Sequence, residues 1–119
     1  MSIASKRSVK SAQVRMREIV VMVDGTAGTP AATGFDASQI DSVVDNATGD
    51  YTIILKKPFN KDNSNLPVCQ VTSMTDGVMV KFDSSAYDRV TVKAFDDAGL
   101  AVDADLLLVI KGCDHRFNY

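Results

Sequence analysis

The fold is decided by one stretch, Gly49-Asp-Tyr-Thr-Ile-Ile-Leu-Lys-Lys-Pro-Phe59. After its Gly-Asp turn, three residues alternate with three others: Tyr51, Ile53 and Leu55 with Thr52, Ile54 and Lys56. A period of two is typical of a strand that buries one face. Pro58 ends the pairing because proline has no backbone N–H to donate. The stretch therefore predicts an interior β-strand, with Tyr51 and Phe59 in the core.

Six further segments carry alternating or continuous apolar patterns bounded by Asp, Gly, Asn and Pro. They cover residues 14–23, 39–44, 67–74, 78–82, 90–94 and 104–111. A helix is the alternative for residues 14–23. Both faces of residues 104–111 are apolar, which predicts that both are covered, and Gly112 ends that strand. Without a convincing helix of ten residues, the fold class is all-β: an antiparallel two-sheet sandwich or jelly-roll-like barrel of about seven or eight strands.

The turns between these strands are defined by composition. Residues 24–34, with three glycines and Pro30, form an exposed loop, and residues 45–50 form a hairpin into the central strand. Residues 75–77, Thr-Asp-Gly, predict a hairpin that joins the strands on either side, since glycine accepts a positive φ. Residues 83–86 and 96–99 predict two further turns.

Charge divides the chain of 119 residues into a basic arm and an acidic body. Residues 1–17 contain five bases and no acid, whereas the remainder has eight bases and 15 acids, for a net charge of −2. Residues 1–13 have too little apolar content to pack alone, so we expect an arm that is mobile or orders only against a partner, followed by a single domain over residues 14–119. The predicted partner-binding residues are Lys6, Arg7, Lys10, Arg15 and Arg17. An acidic protein surface fits them better than nucleic acid, because the acidic body repels phosphates.

No apolar run is longer than five residues, which predicts no membrane span, and the opening residues lack the pattern of a secretory signal. The chain is therefore expected to act without export by that route. Its two cysteines, Cys69 and Cys113, are more typical of separate buried or half-buried thiols than of a disulfide.

The sequence gives only weak support for a metal site. Cys113 and His115 could ligate zinc with Cys69, but a structural site takes four ligands, and residues 113–119 are better interpreted as a polar tail. Four aspartates near Gly99 could hold calcium, although turn formation explains them more simply: Asp96, Asp97, Asp103 and Asp105.

Catalysis has no support in the sequence either. No nucleophile stands beside a base, the acids lie in turns, and the glycines of residues 25–28 lack the lysine of a phosphate loop. The sequence therefore predicts a protein without enzyme activity, metal or cofactor.

Three patterns together resemble small β-sandwich modules of tailed-bacteriophage virions, found in head decoration (cement) proteins and in fibre or spike subunits. They are residues 45–53 (Asp-Asn-Ala-Thr-Gly-Asp-Tyr-Thr-Ile) with Pro58-Phe59, Pro67-Val68, and residues 90–99 (Val-Thr-Val-Lys-Ala-Phe-Asp-Asp-Ala-Gly). The similarity covers residues 39–111. It implies a structural virion protein, assembled in the host cytoplasm, that binds the major capsid or another virion protein as a trimer, without nucleic acid or membrane.

A fibre or spike subunit, or a carbohydrate-binding module, is the alternative. Sugar-binding modules usually display exposed aromatic side chains, and this chain has no Trp. Its remaining exposed candidates are Tyr87, Phe117 and Tyr119.

Overall fold

The computed structural model describes residues 14–60 and 66–116. The elements, in chain order, are β1 (Val14–Asp24), β2 (Ala32–Thr33), a 3-10 turn (Ala37–Gln39), β3 (Ile40–Ala47), β4 (Asp50–Leu55), β5 (Val68–Ser73), β6 (Met79–Ala86), β7 (Arg89–Phe95) and β8 (Asp105–Arg116). The predicted arm, residues 1–13, lies outside the described residues, as do Phe117 and Tyr119.

Two antiparallel sheets of four strands pack face to face. Sheet A has the order β2-β1-β8-β5 and sheet B the order β3-β4-β7-β6. The predicted all-β antiparallel two-sheet sandwich is confirmed. The helix alternative for residues 14–23 is wrong, because β1 pairs with β8 along its whole length. Ile19, Val21 and Val23 are buried against sheet B, because every second residue of a strand points to the same face.

The stretch that decided the fold forms β4, the strand between β3 and β7 in sheet B. Tyr51, Ile53 and Leu55 face the core, and Thr52 on the opposite face is also nearly covered. Phe59, after the strand, is buried as predicted. The loop before β4 is the predicted hairpin, with Ala47 paired to Asp50. Burial of one complete face of β4 accounts for the strength of its sequence pattern.

The core lies between the two sheets and is contributed by the inward positions of the long strands. Sheet A supplies Ile19, Val21, Val23, Leu106, Leu108 and Ile110, and sheet B supplies Tyr51, Ile53, Leu55, Val90, Val92 and Ala94. Each of these residues is nearly inaccessible to solvent. Apolar side chains that alternate along facing strands are the usual means of holding two such sheets together.

The hairpin predicted at residues 75–77 is wrong. β5 lies at the edge of sheet A and β6 at the edge of sheet B, so the segment between them crosses from one sheet to the other. Ser73 and Thr75 bind each other, and Met74 donates its N–H to the carbonyl of Asp105 at 2.7 Å. A Thr-Asp-Gly turn specifies a change of chain direction but not the sheet that the next strand joins.

The turn predicted at residues 83–86 is also wrong. β6 continues to Ala86, and the reversal occurs at the two residues between Ala86 and its partner Arg89. The register shifts between Phe82 and Ser84, so the strand accommodates its polar residues with a bulge. Bulges are frequent at sheet edges, where β6 lies.

The last strand differs from its prediction in two ways. Gly112 does not end it, and β8 continues to Arg116, so His115 lies in a strand paired with Arg15 and not in a tail. A Cβ at Gly112 would come within 2.6 Å of Cδ1 of Phe59, so the glycine allows that ring to approach. Moreover, Leu107 and Val109 are only half-buried, so the second face of β8 is not covered.

Candidate functional site

The four aspartates considered for calcium do not form a common site. Asp96 accepts hydrogen bonds from the N–H groups of Ala98 and Leu100, which shape its own turn. Asp105 accepts two hydrogen bonds from Thr26. Across residues 14–60 and 66–116, no group of three His, Cys, Asp or Glu side chains could hold a metal ion. The hydrogen bonds of Asp96 therefore hold one turn, and those of Asp105 link two loops.

Asp103 accepts hydrogen bonds from two other segments of the chain. Its Oδ1 accepts hydrogen bonds at 2.9 Å from the N–H of Gly49 and from the hydroxyl of Tyr51. The same hydroxyl lies 2.9 Å from the carbonyl oxygen of Gly25. Burial, followed by the hydrogen bond to Asp103, raises the pKa of Tyr51. The phenol therefore stays neutral and ties three loops together at one end of the sandwich.

The two cysteines are buried and do not form a disulfide, as predicted. Cys69 lies on β5 and Cys113 on β8. Burial raises the pKa of the Cys69 thiol to about 12 from its ordinary value of 9.0. A thiol that keeps its proton is a poor nucleophile, so Cys69 serves as a small apolar core residue.

Stability is expected to fall as the pH rises from about 9 to about 12, because the unfolded chain releases the Cys69 proton that the folded chain retains. Three pKa units correspond to roughly 4 kcal/mol over that whole range. Cys69→Ala should lower the free energy of unfolding by about 1 kcal/mol at pH 8 through its cavity. In urea unfolding curves that deficit should shrink above pH 9 and change sign near about pH 10, because native stability falls by roughly 1.4 kcal/mol per pH unit in this range.

Val71→Ala is the matched control for this pH series, since Val71 lies two positions further along the same face of β5 and has no ionisable group. Its deficit should be independent of pH. A Cys69→Ala deficit that is equally constant between pH 8 and pH 10.5 would contradict the raised thiol pKa.

The five basic residues predicted to bind a partner fall into two groups. Lys6, Arg7 and Lys10 lie outside the described residues, whereas Arg15 and Arg17 lie on β1. The Arg17 guanidinium stacks on Phe59, 4.4 Å from the ring centroid, and donates a hydrogen bond to the carbonyl of Lys57 at 2.8 Å. Arg17 therefore anchors the segment after β4 to sheet A, a structural role that its sequence position did not reveal.

Charge is segregated between the two ends of the sandwich. One end, here called the acidic end, collects eight aspartates in residues 45–50, 73–79 and 95–105 and at the end of β1: Asp24, Asp45, Asp50, Asp76, Asp96, Asp97, Asp103 and Asp105. Those segments contain no Lys or Arg, and neither do residues 24–39. The antiparallel topology produces this cluster, because it brings together loops that are distant in sequence.

The opposite end, here called the basic end, carries seven bases and three acids in residues 14–18, 55–60, 84–89 and 111–116. Two of the bases pair with acids there: Arg89 with Asp88 at 3.1 Å and Lys111 with Glu18 at 3.5 Å. Residues 1–13 join the domain at this end, because they precede Val14.

The centre of the outer face of sheet A is apolar. On sheet A, the side chains that point away from the core include Val20, Met22, Leu107 and Val109, because their chain neighbours are buried. Phe35, in the loop beside β1, is 93% exposed. Together these five residues are here called the apolar face. Most of them, with Val21 and Gly34, line a shallow pocket of about 260 Å³.

The outer face of sheet B carries both polar and apolar side chains. The side-chain amide of Asn46 donates hydrogen bonds to Asp50 and Thr52, and the hydroxyls of Thr52 and Thr91 lie 3.0 Å apart. Lys93 forms an ion pair with Asp83 at 3.8 Å. Val44 and Met79 are exposed there as well.

The apolar face was missed in the sequence because residues 104–111 were interpreted as covered on both faces. Phe35 lies between the predicted loop, residues 24–34, and the strand predicted from residue 39, where one aromatic residue gives no periodic signal. Of the aromatic residues proposed for sugar binding, Tyr87 is half-buried and packs against the core. The two others lie outside the described residues.

Comparisons with known proteins give no relative from which a function could be transferred. No family model, no curated protein and no solved structure matches the chain. Among the described residues, no helix has the length and apolar character to cross a membrane.

Proposed function

We propose that this protein is a non-enzymatic structural subunit of a tailed-bacteriophage virion, a decoration (cement) protein that binds and stabilises the head lattice. The observation that carries the proposal is the segregation of charge, with the arm joined to the basic end. A segment with few apolar residues gains its order from a partner, and clustered bases direct it towards an acidic protein surface. The resemblance of residues 39–111 to virion sandwiches supplies the class of particle.

Within residues 14–60 and 66–116, the groups considered for chemistry serve the fold, and this supports a binding role. The buried phenol of Tyr51 and the buried Cys69 thiol both have raised pKa values and retain their protons. Asp103 and Asp105 accept hydrogen bonds that connect loops, and Asp96 accepts hydrogen bonds within its own turn.

Reversing the arm charges is expected to weaken binding to the capsid. The variant Lys6→Glu/Arg7→Glu/Lys10→Glu should bind heads lacking this subunit at least about tenfold more weakly at low salt, because three attractive contacts become repulsive. Co-sedimentation with such heads measures the change. Native binding should itself weaken as the salt concentration rises from about 50 mM to about 0.5 M, because salt screens exposed charges.

Lys81→Glu is the control for this experiment, because it reverses one exposed charge on β6, away from the basic end. It should bind as the native protein does. Salt-insensitive binding that the triple substitution leaves unchanged would refute docking by the arm. Quantitative mass spectrometry of the parent particle tests the broader role, since a decoration subunit must be present in many copies and a fibre subunit in few.

A recognition module, as in a fibre, spike or carbohydrate-binding sandwich, is the second candidate. The exposed Phe35 ring favours it, since sugars stack on exposed aromatic rings. However, the pocket beside Phe35 is lined by apolar side chains and Gly34, which offer few partners to sugar hydroxyls. A glycan-binding screen of the native protein and Phe35→Ala separates the candidates: glycan binding that depends on Phe35 would favour the recognition module.

A further inference from the structure

One edge of sheet A lacks a partner strand. β5 lies at this edge and pairs only with β8. Its ladder with β8 runs from Val68 to Ser73 without a bulge, and the strand contains no charged residue. Met74 continues the ladder by donating its N–H to the carbonyl of Asp105. A regular, uncharged edge strand of this kind is one that readily pairs with another chain.

The register shows which backbone groups of β5 point to the open side. In an antiparallel ladder, alternate residues bond to the partner strand, and the residues between them point the other way. Since Met74 bonds to Asp105, Thr72 and Gln70 bond to β8 as well. The N–H and C=O groups that point away from β8 belong to Cys69, Val71 and Ser73. Within the described part of the chain, these groups form no backbone hydrogen bond.

The other edges of the two sheets are protected. At the opposite edge of sheet A, Asp36 binds the outward backbone groups of Val20: its carboxylate accepts the N–H at 2.7 Å, and its own N–H donates to the carbonyl at 3.1 Å. At the edges of sheet B, the registers of β3 and β6 are interrupted by bulges, which discourage further pairing. β5 has neither kind of protection.

A cleft of about 500 Å³ lies along the open edge, between β5 and β6. Residues 69–72 line it from β5, and Val80, Lys81 and Phe82 line it from β6. Val80 and Phe82 are half-buried and pack against the core, so they form an apolar wall. The volume is within the range of about 300–1,000 Å³ that is typical of binding sites. The cleft thus sets a row of backbone donors and acceptors beside apolar side chains.

Lys81 places a positive charge at this cleft. It is exposed and pairs with Lys93 of β7, so two like charges lie on adjacent strands, which is unfavourable. Lys93 forms an ion pair with Asp83 at 3.8 Å, whereas Lys81 forms none with any described residue. A carboxylate that enters the cleft would therefore meet an ammonium group without an acidic partner.

We propose that β5 binds an extended peptide segment of a partner protein, which adds a strand to sheet A and carries a carboxylate that pairs with Lys81. The backbone groups of β5 select an extended chain, and Lys81 selects an acidic residue in it. This interaction goes beyond the proposed virion function and does not depend on it.

Two occupants from this chain itself fit the cleft less well. Residues 1–13 contain Lys and Arg but no acid, so Lys81 repels them. A second copy of β5 has no charged residue to offer, and its pairing would bring the Lys81 side chains of both copies to the same edge. The charge at the cleft therefore favours an acidic segment of another protein.

Amide hydrogen exchange of the full chain, followed by NMR, tests whether the edge is open. In the free protein, the amides of Val71 and Ser73 should exchange at least about tenfold faster than those of Gln70 and Thr72, which bond to β8. Slow exchange at all four positions would show that the edge is already covered and would overturn the proposal. Protection that grows with protein concentration would assign the edge to a second copy and would overturn it too.

Synthetic hexapeptides test the binding. The series alternates Val and Thr and replaces one Thr in turn by Asp or, in the matched control peptides, by Lys. NMR titration should show Asp peptides binding along β5 with a Kd below about 1 mM, with protection of the Val71 and Ser73 amides. The Lys peptides should bind at least about tenfold more weakly. The proposal is wrong if no Asp peptide binds, if binding occurs away from β5, or if the two sets bind equally.

Lys81→Glu should weaken binding of the Asp peptides at least about tenfold and strengthen that of the Lys peptides, because it reverses the charge at the cleft. Lys56→Glu is the matched control, because Lys56 is an exposed lysine outside the cleft. Peptide affinities that Lys81→Glu leaves unchanged would overturn the proposal. The same variant is expected to keep its capsid binding, so a failure of peptide binding and a failure of arm docking are distinguishable.

Discussion

Gly49→Ala is expected to lower the free energy of unfolding by about 4 kcal/mol or more, which for a domain of this size removes much of its stability. Gly49 has a φ of +66°, which an alanine adopts only with strain. The added Cβ would also lie 2.5 Å from the carbonyl oxygen of Ala94 and 2.7 Å from that of Val102. Urea unfolding followed by circular dichroism measures the loss.

The backbone cannot relax this clash cheaply, because Gly49 is held on both sides. Its N–H donates to Asp103 at 2.9 Å, and its carbonyl accepts from the N–H of Ala94 at 2.7 Å. Movement away from Ala94 would lengthen both hydrogen bonds. The close approach that requires glycine is thus also the contact that joins the β3–β4 turn to β7 and to the loop before β8.

Gly77→Ala is the control that separates backbone strain from the clash. Gly77 has a similar φ of +73°, but no heavy atom lies within 4 Å of the Cβ that alanine would add. Its substitution should cost about 1 kcal/mol, the strain alone. If the two alanine variants were equally stable, the packing around Gly49 would not contribute as the structure indicates.

Tyr51→Ala should cost about 4 kcal/mol and Tyr51→Phe about 2 kcal/mol. The alanine variant leaves a cavity at a side chain that is fully buried in the core. The phenylalanine variant keeps the ring but removes the hydroxyl that donates to Asp103 and Gly25, which leaves buried acceptors without that donor. Chemical denaturation of both variants at pH 7 measures the two contributions separately.

A double-mutant cycle with Asp103→Ala checks the assignment of this energy. Tyr51→Phe and Asp103→Ala should be coupled by at least about 1 kcal/mol, because the first removes the donor and the second the acceptor of the same hydrogen bond. The pH dependence gives a second test. The raised pKa of Tyr51 means that stability is complete below pH 10 and falls above it, and Tyr51→Phe should remove that part of the fall. Additive substitutions would show that the contact contributes nothing.

The local sequence predicted the position of a strand correctly wherever that strand buries one face. β4, β7 and the core side of β8 have their apolar residues at a period of two, and each lies where the pattern predicted. The same reasoning failed at residues 75–77 and 83–86. Turn formers lower the cost of a reversal or a bulge, but pairing partners are chosen by contacts between distant segments. The prediction that Gly112 ends β8 was wrong for a related reason. The glycine is needed because the Phe59 ring packs against its backbone.

The candidate binding surfaces were harder to predict from the sequence. The basic arm could be predicted from the sequence, because residues 1–17 contain Lys and Arg without acids. The acidic end is assembled from four separate stretches of chain. Taken alone, the aspartates of each stretch indicate only a turn. Arg17 was predicted to bind a partner, although its guanidinium stacks on Phe59. A side chain's contact with a residue 42 positions away leaves no signal in the residues around it.

The sequence by itself determined that this chain is an all-β sandwich, because alternation along each strand records which side chains leave water, and that is a local property. Only the tertiary structure decided which strands share a sheet, which loops meet at the acidic end, and that Leu107 and Val109 remain half-exposed beside Phe35. Those features depend on the pairing of distant segments. The period-two pattern around Tyr51 specifies a buried face without specifying the strand or sheet that covers it.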